Sequence, residues 1–303
     1  MLTTLVGCGN GDAAAECRGE RDCRQGRFCV DGECRDEPQY LQVSVGGQHA
    51  CALRHDNRAV CWGYEESGAT RAPDDEFSFV DAGVDRTCAI RKSDDEIVCW
   101  GEPMTSGYGE TPSGKATYLS MGAFSACAVR PDASLVCWVG DFDQDMPPTV
   151  DGDFVSVSTG RYGLCGVTDE ARIECRGSQL LRHAGEPPDG EYTHVTTSGL
   201  HTCALATDHS IDCWGRGSGE SDSRGDFGQA IPPEGAFIQV DIGGTYSCGL
   251  RKNGTVACWG NDEHGKSSPL SGEFQQISTG VSTACGIRDD GSIACWGEDI
   301  GLP

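Results

Sequence analysis

Residues 244–260 read GTYSCGLRKNGTVACWG, and this stretch reads as one β-hairpin. Counting inward from Cys248 and Cys258 pairs Leu250 with Val256 and Arg251 with Thr255. That leaves Lys252, Asn253 and Gly254 as the loop. A three-residue loop ending in Gly is the recipe for a type I turn closed by a G1 bulge, because Gly supplies the positive φ of the last position. The two cysteines then stand opposite each other. Opposed Cα atoms of an antiparallel pair lie about 4.5 or 5.5 Å apart, a separation that a disulfide can bridge. A cross-strand staple is expected.

The unit recurs seven times. The expected bridges join Cys51 with Cys61, Cys88 with Cys99, Cys127 with Cys137, Cys165 with Cys175, Cys203 with Cys213, Cys248 with Cys258 and Cys285 with Cys295. Six of these pairs are ten residues apart and one is eleven. First cysteines follow one another after 37, 39, 38, 38, 45 and 37 residues. All six tryptophans directly follow a second cysteine, and only the fourth unit departs, with Arg176. The hairpin units lie near 46–63, 83–101, 122–140, 160–177, 198–215, 243–260 and 280–297. A short alternating segment precedes each one but the fifth, such as YLQVSVG from Tyr40 or FIQVDIG from Phe237, and the fifth has the more polar YTHVTTSG from Tyr192 in the same place. A polar connection rich in Gly and Pro follows. The repeat is therefore strand, hairpin, loop, with no helical apolar period of the length a parallel α/β sheet needs.

A β-helix would need shorter and more uniform coils, and isolated hairpins would bury nothing. A ring of seven small antiparallel sheets suits the period and protects the edges of marginal hairpins. The expected fold is all-β, a seven-bladed β-propeller over residues 40–303. The repeat opens on the strand at Tyr40 and stops soon after Trp296. The Tyr40–Val45 strand is thus expected to complete the last blade.

Residues 1–16 and 17–39 stand apart. Leu5-Val6-Gly7-Cys8 looks like the cleavage and lipidation box of a bacterial lipoprotein with most of its signal missing; the alternative is a chance run of small residues before an unpaired thiol. Cysteine arithmetic favours lipidation of Cys8: of 19 cysteines, 14 lie in the repeats and four in a cluster, which leaves Cys8 alone. Membrane attachment is expected only through that residue. The cluster is Cys17, Cys23, Cys29 and Cys34. So short a segment cannot bury a core without staples, and a small disulfide-rich module with two bridges is expected, in any of three connectivities. Zinc is the rival reading, but the short knuckle spacing is absent.

Seven paired cysteines point to an oxidising, extracytoplasmic compartment, either as an outer-membrane or cell-surface lipoprotein or as a secreted protein. The net charge is −24. The first 39 residues hold five basic and eight acidic groups, leaving 18 against 39 in the ring, a net −21. Such a surface repels nucleic acid, whose recognition rests on Lys and Arg.

The C-A-L…C-W-G units resemble the repeats of the regulator of chromosome condensation family. Matching pieces are Gly46, His49, Leu53 and Trp62-Gly63 in unit one, and His201, Leu205 and Trp214-Gly215 in unit five. In unit six they are Leu250, Asn253-Gly254, Val256 and Trp259-Gly260, and in unit seven Asp290-Gly291 and Trp296-Gly297. The resemblance covers residues 40–303 and implies a seven-bladed propeller. The cysteine-stapled form looks like secreted bacterial members. The family's G-Q-L-G after Trp-Gly is worn here, surviving as Phe227-Gly228-Gln229 and His264-Gly265-Lys266. The nuclear member's nucleotide exchange and chromatin contact do not carry over, because the redox chemistry and the charge both oppose them. A secreted relative inhibits β-lactamases through loops of a propeller face, but none of its contacts maps onto these residues.

No catalytic residues and no cofactor are expected. His49 and His201 occupy equivalent repeat positions and are read as structural; His55 and His209 fall in hairpin turns and are expected to be solvated. There is no G-x-S-x-G elbow and no H-E-x-x-H. Asp141, Asp143 and Asp145 copy the first spacings of a calcium loop, but Met146 replaces the turn Gly and Gly152 the closing Glu, so an exposed acidic loop is the default. The tryptophans are read as blade-to-blade packing. Irregularity is the better functional signal. The longest gap between units puts its excess into residues 216–235, which include Arg224, Asp226 and Phe227. With Asp141–Pro148, this connection is the candidate binding face for an extracellular protein or glycan, on what is expected to be a monomeric ring. An inhibitor of a secreted or cell-wall enzyme, and a hydrolase or lyase with its site on one propeller face, are the alternatives.

Overall fold

The structure is a computed structural model and describes residues 28–30, 33–35, 39–101, 110–139, 148–177, 184–219 and 225–303. Seven small antiparallel sheets follow one another along the chain, each built from one repeat. Blade 1 is Tyr40–Val45, His49–Arg54 and Ala59–Gly63; blade 6 is Phe237–Ile242, Tyr246–Arg251 and Val256–Gly260. The leading strand is innermost and lines the axis. The third blade gains a short fourth strand, Thr149–Val150, on the outside of Leu135–Val139.

The hairpins have the register that their cysteines imply. Cys248 pairs with Cys258 and Leu250 with Val256, while Arg251 N–H donates to Thr255 O at 2.9 Å and Gly254 N–H to Arg251 O at 2.9 Å. A disulfide staples each blade. Cys51 is bonded to Cys61 in blade 1, Cys88 to Cys99 in blade 2, Cys127 to Cys137 in blade 3 and Cys165 to Cys175 in blade 4. In blades 5 to 7 the bonds join Cys203 to Cys213, Cys248 to Cys258 and Cys285 to Cys295. Their Cα–Cα distances are 4.0–4.1 Å. Such short spacing belongs to the close, non-hydrogen-bonded kind of cross-strand pair. The two ends of a bridge differ in burial: Cys51, Cys88, Cys203 and Cys285 are fully buried, whereas Cys61, Cys99, Cys213 and Cys295 are only partly so. Cys137 and Cys175 are buried at both ends of their bridges, with Cys127 and Cys165.

The last loop position is left-handed in every hairpin, although only Gly254 and Gly291 are glycines. The others are Asn57, Asp95, Ala133, Ala171 and His209, with φ between 60° and 73°. An acceptor side chain earlier in the turn supports this geometry. Asp56, Asp94, Asp132, Asp208, Asn253 and Asp290 each accept the backbone N–H two residues on, the Asx-turn arrangement.

These turns also join the blades. The left-handed residue's carbonyl accepts the first inner-strand N–H of the following blade: Phe77 to Asn57, Phe154 to Ala133, Tyr192 to Ala171, Phe237 to His209 and Phe274 to Gly254, at 2.8–3.0 Å. Ala116 N–H reaches Asp95 O at 2.9 Å, and Tyr40 N–H reaches Gly291 O at 3.0 Å, which closes the circle. His209 is therefore not merely solvated, since its Nδ1 also lies 3.1 Å from Phe237 O.

Closure differs from the expectation. Tyr40–Val45 pairs with His49–Arg54 of its own repeat, not with the seventh sheet. Each repeat supplies all the strands of its own blade, so no strand is left to exchange. The ring closes through side chains and turns instead.

Apolar clusters fill the junctions, one per neighbouring pair of blades. Cys51 and Leu53 meet Phe77, Val80 and Trp100 between blades 1 and 2, and Tyr40, Val43 and Val45 meet Cys285 and Ile287 between blades 7 and 1. Each cluster includes at least one half-cystine of its junction, so the disulfides are core as well as staples. The tryptophans lie in or against these junctions, as expected. Trp100, Trp259 and Trp296 also donate their indole N–H to Ala69, Gln229 and Lys266 carbonyls at 2.8–3.1 Å. In blades 2, 6 and 7 the worn G-Q-L-G position thus still pins the preceding connection to its blade.

Ahead of the ring, Phe28–Val30 pairs with Glu33–Arg35, with Cys29 in register with Cys34. Cys8, Cys17 and Cys23 lie outside the described residues.

Candidate functional site

The inner strands share one pattern: an aromatic or small apolar start, then polar side chains at alternate positions, then a turn. The first of these positions, polar in every blade but the second, holds Gln42, Phe79, Tyr118, Ser156, His194, Gln239 and Gln276; the second holds Ser44, Asp81, Ser120, Ser158, Thr196, Asp241 and Ser278. The residues between and after them are the junction core, such as Val43 and Val45.

The glutamines of the first position, in blades 1, 6 and 7, and the side chains of the second position reach the next blade and satisfy its exposed inner edge. Gln42 donates from Nε2 to Val80 O at 2.8 Å and accepts Val80 N–H at 3.0 Å. Gln239 does the same to Ile277, and Gln276 to Val43. At the second position Ser44 Oγ accepts Ala82 N–H, Asp81 accepts Met121 N–H, Ser120 accepts Thr159 N–H and Ser158 accepts Thr197 N–H. Asp241 accepts Thr279 N–H and Ser278 accepts Val45 N–H. Only the junction from blade 5 to blade 6 differs: there Asp241 takes its own neighbour's N–H, from Ile242, and the hydroxyl of Thr196. A three-stranded blade leaves an unpaired inner edge, and this side-chain hoop satisfies it.

The hoop surrounds an axial channel with two chambers, each of ≈ 360 Å³. The seven second-position residues line both chambers and so form the waist between them. One chamber opens on the hairpin-turn face, past Leu41, Phe79 and Tyr118. The other opens among glycine-rich turns that pack backbone to backbone; a Cβ on Gly46 would lie 2.0 Å from Gly83 O.

Burial pushes the Asp81 carboxyl up to about 7 and that of Asp241 up to about 6, against the pull of their hydrogen-bond donors. The nearby Asp241 charge adds to the rise at Asp81. Burial lowers His194, also on the channel wall. His49 and His201 lie elsewhere. Their Nε2 atoms reach Thr87 Oγ1 at 2.8 Å and Ser247 Oγ at 2.9 Å in the next blade, and burial holds them down to about 4 and about 3. These are neutral core histidines tying blades together.

Of the candidate loops, Asp141, Asp143, Asp145 and Arg224 lie outside the described residues. Asp226 and Phe227 lie in the second half of the long connection. Gln229 is its anchor: fully buried, it accepts Phe227 N–H on Oε1 at 2.8 Å and donates from Nε2 to Gly225 O at 3.0 Å. Its carbonyl takes both the Trp259 indole N–H and the Ser247 hydroxyl. On that base, Phe227 and Ile231 stand 47% and 53% exposed. Among the described residues, no group of three or more His, Cys, Asp or Glu could hold a metal ion. No helix among them is long and apolar enough to cross a membrane.

Sequence reasoning missed the channel carboxylates and the glutamine hoop. The signal was present in YLQVSVG and FIQVDIG, where Gln and Ser or Asp recur at one spacing, but period-two alternation alone gives them no partner.

The profile of the regulator of chromosome condensation (RCC1) repeat matches residues 41–69 and 237–266. The ectodomain of the receptor kinase CR4 from Physcomitrella patens is similar with a TM-score of 0.70 at 23% identity, over 88% of this chain and 76% of that one. The CRINKLY WD40 ectodomain of the receptor kinase ACR4 from Arabidopsis thaliana gives 0.68 at 20% identity, over 86% and 96%. Prp20p from Saccharomyces cerevisiae gives 0.66 at 13%, over 83% and 84%. Among curated proteins, the serine/threonine-protein kinase-like protein CCR4 of Arabidopsis thaliana is 39% identical over 54 residues, 18% of this chain and 7% of that protein. The chain thus spans a small part of that relative's length. It has an RCC1-type propeller fold, stapled by one disulfide in each blade.

Proposed function

We propose that this propeller is an extracytoplasmic protein-binding scaffold without catalytic activity, recognising its partner through loops on one face. The observation that carries this reading is the connection 216–235. A buried Gln229 fixes its base, and Phe227 and Ile231 are displayed from it into solvent. Large exposed apolar side chains on a rigid ring are what a binding surface requires. The per-blade disulfides support an oxidising compartment. Two of the similar propellers are receptor-kinase ectodomains, and Prp20p was studied for its binding to Gsp1p and histones, so the scaffold suits protein recognition. A lipidated Cys8 would hold the ring at a membrane surface, which mass spectrometry of the natively expressed protein would reveal.

The test is affinity capture from intact cells with the oxidised chain, followed by binding measurements on the identified partner. Phe227→Ala with Ile231→Ala should weaken binding by about tenfold or more while the melting temperature stays nearly unchanged. Undiminished binding by that variant would overturn the assignment of this connection.

A further inference from the structure

Among the described residues, the channel waist carries negative charge with no fixed cation beside it. Asp81 and Asp241 belong to blades 2 and 6 and line both chambers. Their hydrogen-bond partners are hydroxyls and backbone N–H groups. The hairpin-face chamber has no Lys or Arg in its lining; its remaining titratable groups are Tyr118 and His194. Burial lowers His194, leaving its ring neutral near pH 7, and the Tyr118 phenol is raised by burial and by the charges of both Asp81 and Asp241. The opposite chamber has Arg161, whose guanidinium lies 5.4 Å from the rings of Phe124 and Tyr162. A carboxylate pair buried without a counter-cation is costly, and a ligand cation would relieve that cost.

The chamber walls suit an organic cation. Phe79 and Tyr118 lie with ring centroids 5.0 Å apart on one side, and aromatic faces attract cations. Of the turn carboxylates on this face, Asp56 and Asp94 are paired with Arg54, Arg58 and Arg91, whereas Asp132, Asp208 and Asp290 add negative charge on the same face. From Leu41 at the entrance to Ser44 at the waist is three strand residues, about 10 Å. That depth matches an extended alkyl chain. No third metal-ligating side chain joins the two carboxylates among the described residues, which disfavours a bare metal ion.

We propose that the hairpin-face chamber binds a linear alkylammonium group, with its charge between Asp81 and Asp241 and its alkyl stem against Phe79 and Tyr118. The group could come from a free diamine or from a lysine side chain at the tip of a partner's loop. The site is separate from the connection 216–235, so Phe227→Ala with Ile231→Ala leaves it intact.

Titration calorimetry on the oxidised full chain, at constant ionic strength, tests this with two probes. One is 1,5-diaminopentane; the other is the peptide Gly-Gly-Lys-Gly-Gly, with its Nε-acetylated form as control. One saturable site is expected, with proton release. Affinity should rise about tenfold between about pH 5.5 and about pH 8, as the two carboxylates ionise. Asp81→Asn with Asp241→Asn should cost about tenfold or more. Carboxyl ¹³C shifts of Asp81 and Asp241 in the unaltered protein should move during the titration, which tests the site without relying on the variant's folding. Tighter binding of the diamine would identify a free amine as the source, and tighter binding of the unacetylated peptide a partner's lysine; either supports the site. The proposal fails if neither probe binds saturably, if the double variant binds as the parent does, or if only surface turn carboxylates such as Asp132 shift.

Discussion

Ser278 Oγ accepts the Val45 N–H at 3.0 Å across 233 residues of chain, joining the last blade to the first. Beside it, Gln276 closes a second pair of hydrogen bonds onto Val43, at 2.7 and 2.8 Å. The circle is completed by the same contacts that join other neighbouring blades.

Removing that contact should therefore open the weakest topological point of the ring. Gln276→Ala leaves the Val43 N–H and C=O unsatisfied at a part-buried site, and each such group costs about 1–3 kcal/mol. The neighbouring Gln275→Ala, which removes one exposed hydrogen bond to Asp289 O, should cost about 0.5 kcal/mol or less. Urea titration of both variants checks the difference.

The hairpin staples make a second prediction. Closing a ten-residue loop contributes about 3 kcal/mol in the chain-entropy model, and a preformed turn lowers the entropic part. Because Cys248 is also buried in the cluster of blades 6 and 7, its bridge adds packing. Cys248→Ala with Cys258→Ala should cost about 2–4 kcal/mol, through both effects. Reduction of all bridges should unfold the ring, read by loss of near-ultraviolet circular dichroism. A reduced protein that melts where the oxidised one does would contradict this.

Turn chemistry provides a third. Ala171 sits at φ 60° and Ala133 at φ 66°, where a Cβ is strained. Ala171→Gly should stabilise by about 0.5–1 kcal/mol despite the added freedom of the unfolded chain. Gly254→Ala should act in the opposite direction, since φ is 80° and the new Cβ would meet Glu273 Cβ at 3.0 Å. Paired thermal melts decide it.

The buried acids and histidines pull stability in opposite directions with pH. Asp81 and Asp241 hold protons up to about 7 and about 6, well above the ordinary carboxylate value of 3.8. Through that window the folded state binds more protons than the unfolded chain, so their contribution falls as pH rises. His49 and His201 behave inversely. They stay neutral down to about 4 and about 3, while the unfolded chain protonates near 6.5, so their contribution is lost as pH falls. His194, also lowered by burial, adds to the histidine side, so between about pH 4 and about pH 6 the acids offset most of that trend and the parent protein should show only a gentle rise. Asp81→Asn with Asp241→Asn should leave the histidine slope, with stability climbing steadily to about pH 6.5. Urea midpoints across that range measure it; an unchanged profile would contradict the assignment.

Much of the blade was readable in the chain because its signals are local. Cysteine spacing sets the hairpin register, and Asn253-Gly254 announces the turn. The role of Asp290 or Asp132 as turn acceptors was less visible, because aspartate on an acidic surface has many explanations. Ring closure was misread for a related reason: counting strands along the sequence cannot show that Gln276 and Ser278 satisfy the inner edge of blade 1. The channel pair is farther still from local pattern, since Asp81 and Asp241 are 160 positions apart and share a site only once the circle forms.

Every described disulfide spans ten or eleven residues and stays inside one hairpin. Oxidation therefore needs no long-range order: each bridge can form as its own hairpin leaves the ribosome or translocon, before any neighbour exists. Wrong pairings would have to compete with a partner already opposite. The same locality means that a gene duplication copies a finished, pre-stapled module, and that a circular permutant cut between two blades should oxidise to the same seven bonds.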